Sequence, residues 1–370
     1  MGGKAFITPS RSDGALDVPR MPPNVYLEVR DKFIAICEDY FARVLTPPEA
    51  PGKDDYGDID ILVAEPKDQF NPSSFAQHVG AERFVENGPT SSYAIPYPGE
   101  QNKYIQLDIR MCDPADLEWE TFMGSYGDLM QILGQLQRDL GLTATNNGLY
   151  LRAANPPDIP KKEGMIFLTA EPKRYMRFLE LDPDKYDQGF ATDEEIFSWC
   201  TNSRFFSSGN RGQLRDNTND RRRKKTRKMF AKFHEYCFLN DPNLNSVSKP
   251  WCRQEVAEEA VRFFGVEKQY LEILSIVNEV RKERHLFEKI AINDYIRKKE
   301  QERKSSVIRS LRRWIVWRDS RPALRDEPIN ASHQSSWSRE LEVSKFDEGE
   351  FIAWICENWQ KAISLDHEHV

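Results

Sequence analysis

The stretch Gly57-Asp58-Ile59-Asp60-Ile61-Leu62-Val63 predicts the fold around which the rest of the chain is arranged. Its composition is that of a short buried strand that follows a glycine. Successive side chains of a strand point to opposite faces, so Asp58 and Asp60 share one face and the alternate aliphatic residues share the other. Two neighbouring carboxylates repel each other unless a cation lies between them. The stretch therefore predicts a metal site, and a solvated edge strand with two surface acids is the alternative.

A third carboxylate lies on a second predicted strand, Tyr104-Ile105-Gln106-Leu107-Asp108-Ile109-Arg110, which alternates between polar and apolar residues. If this strand lies beside the first, Asp108 joins Asp58 and Asp60. Carboxylate oxygens are hard ligands that suit Mg²⁺. Three carboxylates that hold two metal ions can activate a hydroxyl group and stabilise a leaving pyrophosphate. This is the chemistry of nucleotidyl transfer.

The motif Gly57-Asp58-Ile59-Asp60, with Asp108 downstream, resembles the DNA polymerase beta-like nucleotidyltransferase superfamily, and specifically a eukaryotic branch of it. The resemblance implies an acid pair on one strand of a small mixed sheet and a third acid on a neighbouring strand. Asp58 and Asp60 would then bind both Mg²⁺ ions. Asp108 would bind the catalytic ion and help to remove the proton from the attacking hydroxyl. The substrate would be a nucleoside triphosphate such as ATP.

The superfamily places a Gly-Ser pair ahead of its acids, at the start of a helix that binds the triphosphate. The nearest candidate here is Pro51-Gly52-Lys53, which lacks the serine. Gly52 would let the backbone approach a phosphate, Lys53 would supply positive charge, and Gly57 would complete the nucleotide-binding set. A plain turn at Pro51-Gly52 is the alternative.

A base- or sugar-contacting side chain is expected from the same resemblance on the helix that follows the third acid. Ser125 and Tyr126 are the candidates, with a hydroxyl for phosphate or ribose and a ring to stack on the base. The alternative is a helix cap next to a packed tyrosine, because serine is a favoured residue at the start of a helix.

A basic block, residues 221–228, stands out in the second half of the chain. Seven of its eight residues are basic: Arg221, Arg222, Arg223, Lys224, Lys225, Arg227 and Lys228. Such a block binds polyanions by releasing their counterions, and RNA near the acid site is the favoured ligand. A nuclear import signal and a solvated helix face are the alternatives.

Composition limits the classes of protein that the chain can belong to. With 370 residues it is long enough for two or more domains, and its net charge of -7 restricts any nucleic-acid contact to a local patch. No apolar run is long enough to span a bilayer, so no membrane partner is expected. The six cysteines are scattered, which disfavours a zinc site or a disulfide framework and favours an intracellular compartment, cytoplasmic or nuclear.

These patterns together predict an α+β protein with a small mixed-sheet nucleotidyltransferase core and a C-terminal helical region. The expected divisions are a mobile leader (1–23), the core domain (24–155), a mainly helical domain with the basic block (156–318), and a polar linker with a terminal amphipathic helix (319–370). The expected reaction is Mg²⁺-dependent transfer of a nucleoside monophosphate to a hydroxyl, with RNA as the leading acceptor. A nucleotide- or RNA-binding module without turnover and a nuclear interaction protein are the alternatives.

Overall fold

The computed structural model describes residues 5–6, 14–153, 162–206, 218–239, 251–291, 310–311, 313–329, 341, 343–344 and 346–368, with the backbone alone described for 283–291. These residues form an α+β fold, which confirms the predicted fold class. The chain divides into two compact units. The first contains Met1–Leu151 and Phe167–Phe264, and the second contains Arg152–Ile166 and Gly265–Val370.

The main sheet of the first unit has five strands. They are β1 (Phe41–Leu45), β2 (Asp58–Pro66), β3 (Arg83–Asn87), β4 (Thr90–Pro96) and β5 (Tyr104–Met111). Their order is β1-β2-β5-β4-β3; β2 and β5 are parallel, and every other pair is antiparallel. The sheet is therefore mixed, and its parallel pair places the two acid-bearing strands side by side.

One face of this sheet is an apolar core covered by helices α1 (Pro23–Tyr40) and α2 (Pro72–His78). Ile59 and Ile61 of β2 and Leu107 of β5 are fully buried on this face. α1 contributes apolar residues at helical spacing, and Pro23 at its start suits a position where the backbone N–H has no intrahelical partner. The predicted alternation in β2 and β5 is thus present, with the aliphatic residues in the core.

The acid-bearing face of the sheet lies next to a second group of elements. They are α3 (Leu117–Gly124), α4 (Leu129–Arg138) and a small sheet of β6 (Leu142–Thr145), β7 (Gly148–Arg152) and β8 (Met165–Thr169). The Trp119 indole N–H donates to the Thr145 carbonyl at 2.7 Å and so joins α3 to β6. Gly148 has a φ of +131°, and a Cβ there would lie 2.7 Å from the Thr169 carbonyl oxygen, so this close approach requires glycine.

The rest of the first unit is helical. Its helices are α5 (Pro172–Phe178), α6 (Pro183–Gln188), α7 (Asp193–Thr201), α8 (Thr218–Thr226), α9 (Lys228–Leu239) and α10 (Arg253–Phe264). The start of α7 is capped by Thr192, whose hydroxyl accepts the Glu195 backbone N–H at 3.2 Å. The basic block lies on α8, on Arg227 between the two helices, and on the first residue of α9.

The second unit contains α11 (Glu267–Ala291), a hairpin of β9 (Ile315–Arg318) and β10 (Arg321–Leu324), and α12 (Glu348–Glu368). Its apolar cluster includes Trp314 and Phe351. The Trp314 indole N–H donates to Asp366 at 3.0 Å, which ties the start of the hairpin to α12. Within the described part of the chain, no helix has the length and apolar character needed to cross a lipid bilayer.

The observed divisions differ from the predicted ones at several points. Residues of the predicted mobile leader are packed: Met21 is fully buried, and its backbone pairs with that of Tyr56. Residues 167–264 group with the sheet rather than with the C-terminal region. The predicted linker at 319–343 begins inside the β9–β10 hairpin. Residues 154–161, at the predicted boundary, and residues 330–340 of the linker lie outside the described residues.

Replacing Ile61 by alanine tests whether the apolar face of β2 stabilises the first unit. Ile61 is fully buried in the central parallel pair, so Ile61→Ala is expected to lower the free energy of unfolding by about 2–5 kcal/mol. Leu27→Ala on α1 is the matched control; its side chain is 45% exposed, and a change of about 0.5 kcal/mol or less is expected. Urea titration followed by circular dichroism measures both. Equal losses in the two variants would contradict the assignment of Ile61 to the core.

Candidate functional site

The structure brings the three predicted acids together at the junction of β2 and β5. In the parallel register Asp60 lies opposite Asp108, and Asp58 lies opposite Gln106. One carboxylate oxygen from each of Asp58, Asp60 and Asp108 lies within 4.8 Å of the other two. Three hard oxygen donors this close together form a set that fits a divalent cation such as Mg²⁺.

Electrostatics at this cluster favour a bound cation or proton. Although Asp60 faces solvent, the surrounding protein desolvates its carboxylate, and the charges of Asp58 and Asp108 repel it, so its pKa rises to about 7. Desolvation also raises the pKa of Asp108, against hydrogen bonds from Ser92 and Gln106 that lower it. The Gln106 amide donates to both Asp108 oxygens, at 3.0 and 2.9 Å, and so fixes the orientation of this carboxylate.

A cavity of about 370 Å³ opens beside the acids. Its lining includes Asp60, Asp108, Arg110, Glu120, Gln131 and Asn146. Arg110 forms an ion pair with Glu120, and its guanidinium also donates to the Thr90 hydroxyl at 3.4 Å. The Gln131 side-chain oxygen is buried and has no hydrogen-bond partner among the described residues. A cavity of this volume, with a few convergent polar groups, has the size range of small-molecule sites.

The predicted triphosphate-binding segment is part of an irregular loop, residues 46–57. Gly52 adopts a φ of +65° in a turn, as the alternative interpretation expected, and no helix begins between β1 and β2. Lys53 instead forms an ion pair with Glu49 at 2.5 Å, and its ammonium lies 4.4 Å from the centroid of the Tyr56 ring. Gly57 forms the bend that leads directly into β2. The helix start that the resemblance implied is not found between β1 and β2, where residues 46–57 form turns and irregular backbone.

Glu49, which the sequence analysis did not identify, organises this loop beside the acids. Its carboxylate accepts the Tyr26 hydroxyl at 2.8 Å on one oxygen and the Lys53 ammonium on the other. The Tyr26 and Tyr56 rings stack with centroids 3.8 Å apart. The charge of Glu49 raises the pKa of Asp60, whereas that of Lys53 lowers it, so both side chains act on the metal-binding cluster. Because residues 46–57 form an irregular loop, no periodic pattern in the sequence signals this role of Glu49.

Ser125 and Tyr126 pack in the interior rather than in the cavity. Ser125 is fully buried, and its hydroxyl donates to the Phe122 carbonyl at 2.6 Å and lies 2.6 Å from the Tyr186 hydroxyl. The Tyr126 hydroxyl donates to the Tyr186 carbonyl at 3.2 Å. The expected single helix is also replaced by two: α3 ends at Gly124, and α4 begins at Leu129. The hydroxyls of Ser125 and Tyr126 form hydrogen bonds in the interior, because this segment packs in an aromatic cluster with Tyr186 of α6.

The basic block spans the end of α8, the junction residue Arg227 and the start of α9, and ion pairs join it to α4 and to Asp128 ahead of α4. Arg221, Arg222, Lys225, Arg227 and Lys228 are exposed, whereas Arg223 and Lys224 are half-buried. The block's connection to α4 runs through Arg227, whose guanidinium lies 2.6 Å from an oxygen of Asp128. The block is therefore part of the same unit as the acid cluster.

Comparison with known proteins adds little to this geometry. No protein-family model matches the chain, and no curated protein matches it. Solved structures that it resembles include the ternary P/T complex and the ternary gap complex of Leishmania infantum polymerase beta, each 16% identical, with TM-scores of 0.27 and 0.29. The matches cover 37% of this chain and only 60% and 53% of the polymerase chains. At such scores the functional conclusion depends on the acid cluster alone.

Metal affinity is expected to depend on pH through Asp60. Its pKa is raised, so a proton must leave before a cation binds, and affinity for Mn²⁺ should rise between about pH 5 and pH 8 and then level off. Isothermal titration calorimetry in buffers of different ionisation enthalpy measures both the affinity and the released protons. Asp60→Asn should remove this proton release, and Asp39→Asn, an exposed acid on α1, should preserve it. An affinity that stays constant from about pH 5 to pH 8 would contradict the assignment.

Proposed function

We propose that this chain is a Mg²⁺-dependent nucleotidyltransferase that moves a nucleoside monophosphate from a nucleoside triphosphate to an acceptor hydroxyl. The observation that carries the proposal is the cluster of Asp58, Asp60 and Asp108, whose ligand oxygens lie within 4.8 Å of one another beside an open cavity. Two Mg²⁺ ions held there would supply the Lewis acid for the attacking oxygen and for the leaving pyrophosphate.

Each acid has a distinct role in the proposed reaction. Asp58 and Asp60 lie two residues apart on one face of β2, which suits them to contact both ions. Asp108 lies across from Asp60 and is held by Gln106, which suits it to bind the ion at the acceptor hydroxyl and to help in removing its proton. The hydrogen bonds from Gln106 and Ser92 favour the charged form of Asp108 that this role requires.

The nucleotide is proposed to occupy the cavity, with its phosphates next to the acids. Lys53 supplies positive charge on the loop side, where its charge already acts on Asp60. Gln131 offers a buried amide oxygen, without a partner in the described part of the chain, for a hydrogen bond to the base or sugar. It replaces Ser125 and Tyr126 in this part of the proposal because it lines the cavity. ATP is the first nucleotide to test.

RNA is the proposed acceptor, since the exposed basic block belongs to the same unit as the acid cluster. An intracellular location, nuclear or cytoplasmic, belongs to the same proposal, because both compartments supply Mg²⁺, nucleoside triphosphates and RNA. The scattered cysteines form no disulfide in the described part of the chain, which is compatible with a reducing environment.

A nucleotide- or RNA-binding module without turnover is the second candidate function. The observation that favours it is the loop before β2, which has Pro47 and Pro48 and no helix start to bind a triphosphate. A nuclear interaction protein, in which the basic block is only an import signal, is the third. Replacing the metal-binding acids would leave the functions of both alternatives largely intact.

Label transfer tests the proposed function. The purified protein is incubated with Mg²⁺, each labelled nucleoside triphosphate in turn, and total cellular RNA. Transfer is expected from the unaltered protein and not from Asp58→Asn/Asp60→Asn, because the double variant loses two of three metal ligands and at least about a thousandfold in rate. Asp31→Asn/Asp39→Asn, which neutralises two exposed acids on α1, is the matched control and should retain full activity.

Three outcomes of this experiment have distinct meanings. Label in RNA names the nucleotide and the acceptor class, and label on the protein itself moves the acceptor from RNA to a side chain. No label under any condition, with RNA binding retained by the double variant, would replace the enzyme by the binding module.

Lys53 is expected to act on nucleotide binding. Lys53→Gln should raise KM for the nucleoside triphosphate roughly ten- to hundredfold, because a hydrogen bond to a charged group is lost, while kcat changes less. Lys67→Gln, a change at an exposed lysine after β2, is the control and should leave KM unchanged. Steady-state kinetics at saturating Mg²⁺ measure both constants. An unaltered KM in Lys53→Gln would exclude Lys53 from the phosphate site.

A further inference from the structure

Asp220, at the start of α8, holds the basic block against the fold through buried ion pairs. Its carboxylate is fully buried. One oxygen lies 2.8 Å from the guanidinium of Arg138 on α4, and the other accepts a hydrogen bond from Arg223 at 2.9 Å. A buried carboxylate is costly unless it is paired and hydrogen-bonded, so Arg223 serves to neutralise Asp220.

A second carboxylate, Asp128, fixes the other end of the block. Asp128 immediately precedes α4 and is buried, and one of its oxygens lies 2.6 Å from the guanidinium of Arg227. Its second oxygen accepts the backbone N–H of Phe230 at 3.3 Å. The basic helix is therefore joined to both ends of α4, through Arg138 at its last turn and Asp128 at its start.

Helical spacing separates these anchoring residues from the rest of the block. Asp220, Arg223 and Arg227 follow one another at intervals of three and four residues, which places them on one face. Arg221, Lys225 and Lys228 follow at intervals of four and three, on a different face. Backbone hydrogen bonds from Arg227 to Arg223 and from Ala231 to Arg227 continue the helical path between α8 and α9.

We infer that the outer basic face, defined as Arg221, Arg222, Lys225 and Lys228, binds the phosphate backbone of a polynucleotide, whereas Arg223 and Arg227 anchor the helix. All four residues of the outer basic face are exposed. Because buried ion pairs fix the helix, its charges are held in place before the ligand arrives, and less entropy is lost on binding. The block thus has two separate roles.

The position of the outer basic face favours a polynucleotide as its ligand. Met229, next to Lys228, lies beside Gly127: a Cβ on Gly127 would be 3.5 Å from the Met229 sulfur and 3.4 Å from Ala50 Cβ. Ala50 belongs to the loop with Glu49 and Lys53, whose charges act on Asp60. A basic face at this place is suited to a polyanion whose end reaches the acids. That this polynucleotide is the acceptor of the transfer reaction rests on the proposed function. That the outer basic face binds a polynucleotide does not.

The test is the salt dependence of oligonucleotide binding. Fluorescence anisotropy with a labelled single-stranded 20-nucleotide RNA, and with its DNA counterpart, measures affinity from about 50 to 200 mM salt. The slope of log affinity against log salt is negative. Its magnitude is expected to fall by about 2 in Arg221→Gln/Arg222→Gln/Lys225→Gln, since each lost contact to a single strand removes about 0.7. The RNA and DNA arms show which polynucleotide is preferred.

Two further variants distinguish binding by the outer basic face from the effect of overall net charge and from the effect of lost stability. Lys32→Gln/Lys67→Gln/Lys103→Gln removes the same charge from other elements of the first unit and should leave the slope unchanged. Arg223→Gln should lower the thermal unfolding temperature, because it removes one partner of a buried carboxylate, and should leave the slope nearly unchanged.

Two results would overturn the inference. The first is equal slopes for the unaltered protein and the Arg221/Arg222/Lys225 variant, and the second is no binding of either oligonucleotide by the unaltered protein. Running this assay and label transfer side by side on the unaltered protein separates the two proposals. Intact binding without label transfer refutes the enzyme and supports the outer basic face, whereas label transfer without salt-dependent binding does the reverse.

Discussion

The parallel pairing of β2 with β5 is the constraint on which the rest of the first unit depends. Parallel neighbours need a long crossover, and α2, β3 and β4 supply it between the two acid-bearing strands. This pairing places three carboxylates within 4.8 Å of one another, which opposes folding when no cation is bound. The fully buried aliphatic face of the same two strands compensates for that repulsion. The β2–β5 pair thus contributes both the unfavourable repulsion among the carboxylates and the favourable apolar burial that offsets it.

Alternating patterns made the fold and the acid cluster predictable. Alternation from Asp58 to Ile61 in β2 and along the whole of β5 placed Asp58, Asp60 and Asp108 on one face, and the structure brings them together. The surroundings of the cluster were less predictable because they depend on backbone turns. Tyr126 adopts a φ of +48°, which a non-glycine residue rarely does, and this turn directs its side chain and that of Ser125 into the interior. No periodic pattern in the sequence signals such a turn.

Long-range contacts explain the remaining differences. Glu49 acquires its role only because Tyr26, from α1, reaches its carboxylate, and a contact over 23 residues has no local signature. The roles of the basic residues also depend on distant contacts, since the sequence does not distinguish the seven basic residues of the block from one another. The buried carboxylates of Asp220 and Asp128 form ion pairs with Arg223 and Arg227, which engages these two residues in anchoring the helix. Asp128 and Asp220 therefore determine which basic residues remain available to bind a ligand. The sequence does not distinguish these two aspartates from its many other acidic residues.

The segment just before α1 supports the loop beside the acid site. Arg20 pairs with Asp55 at 2.6 Å, and Met21 exchanges two backbone hydrogen bonds with Tyr56, so residues before α1 support the loop that carries Lys53. Proteolytic clipping ahead of α1, or an affinity tag fused close to it, would loosen that loop without touching a single metal ligand. Residues 20–21 thus support the site from outside it, and keeping this segment intact is a condition for assaying the protein.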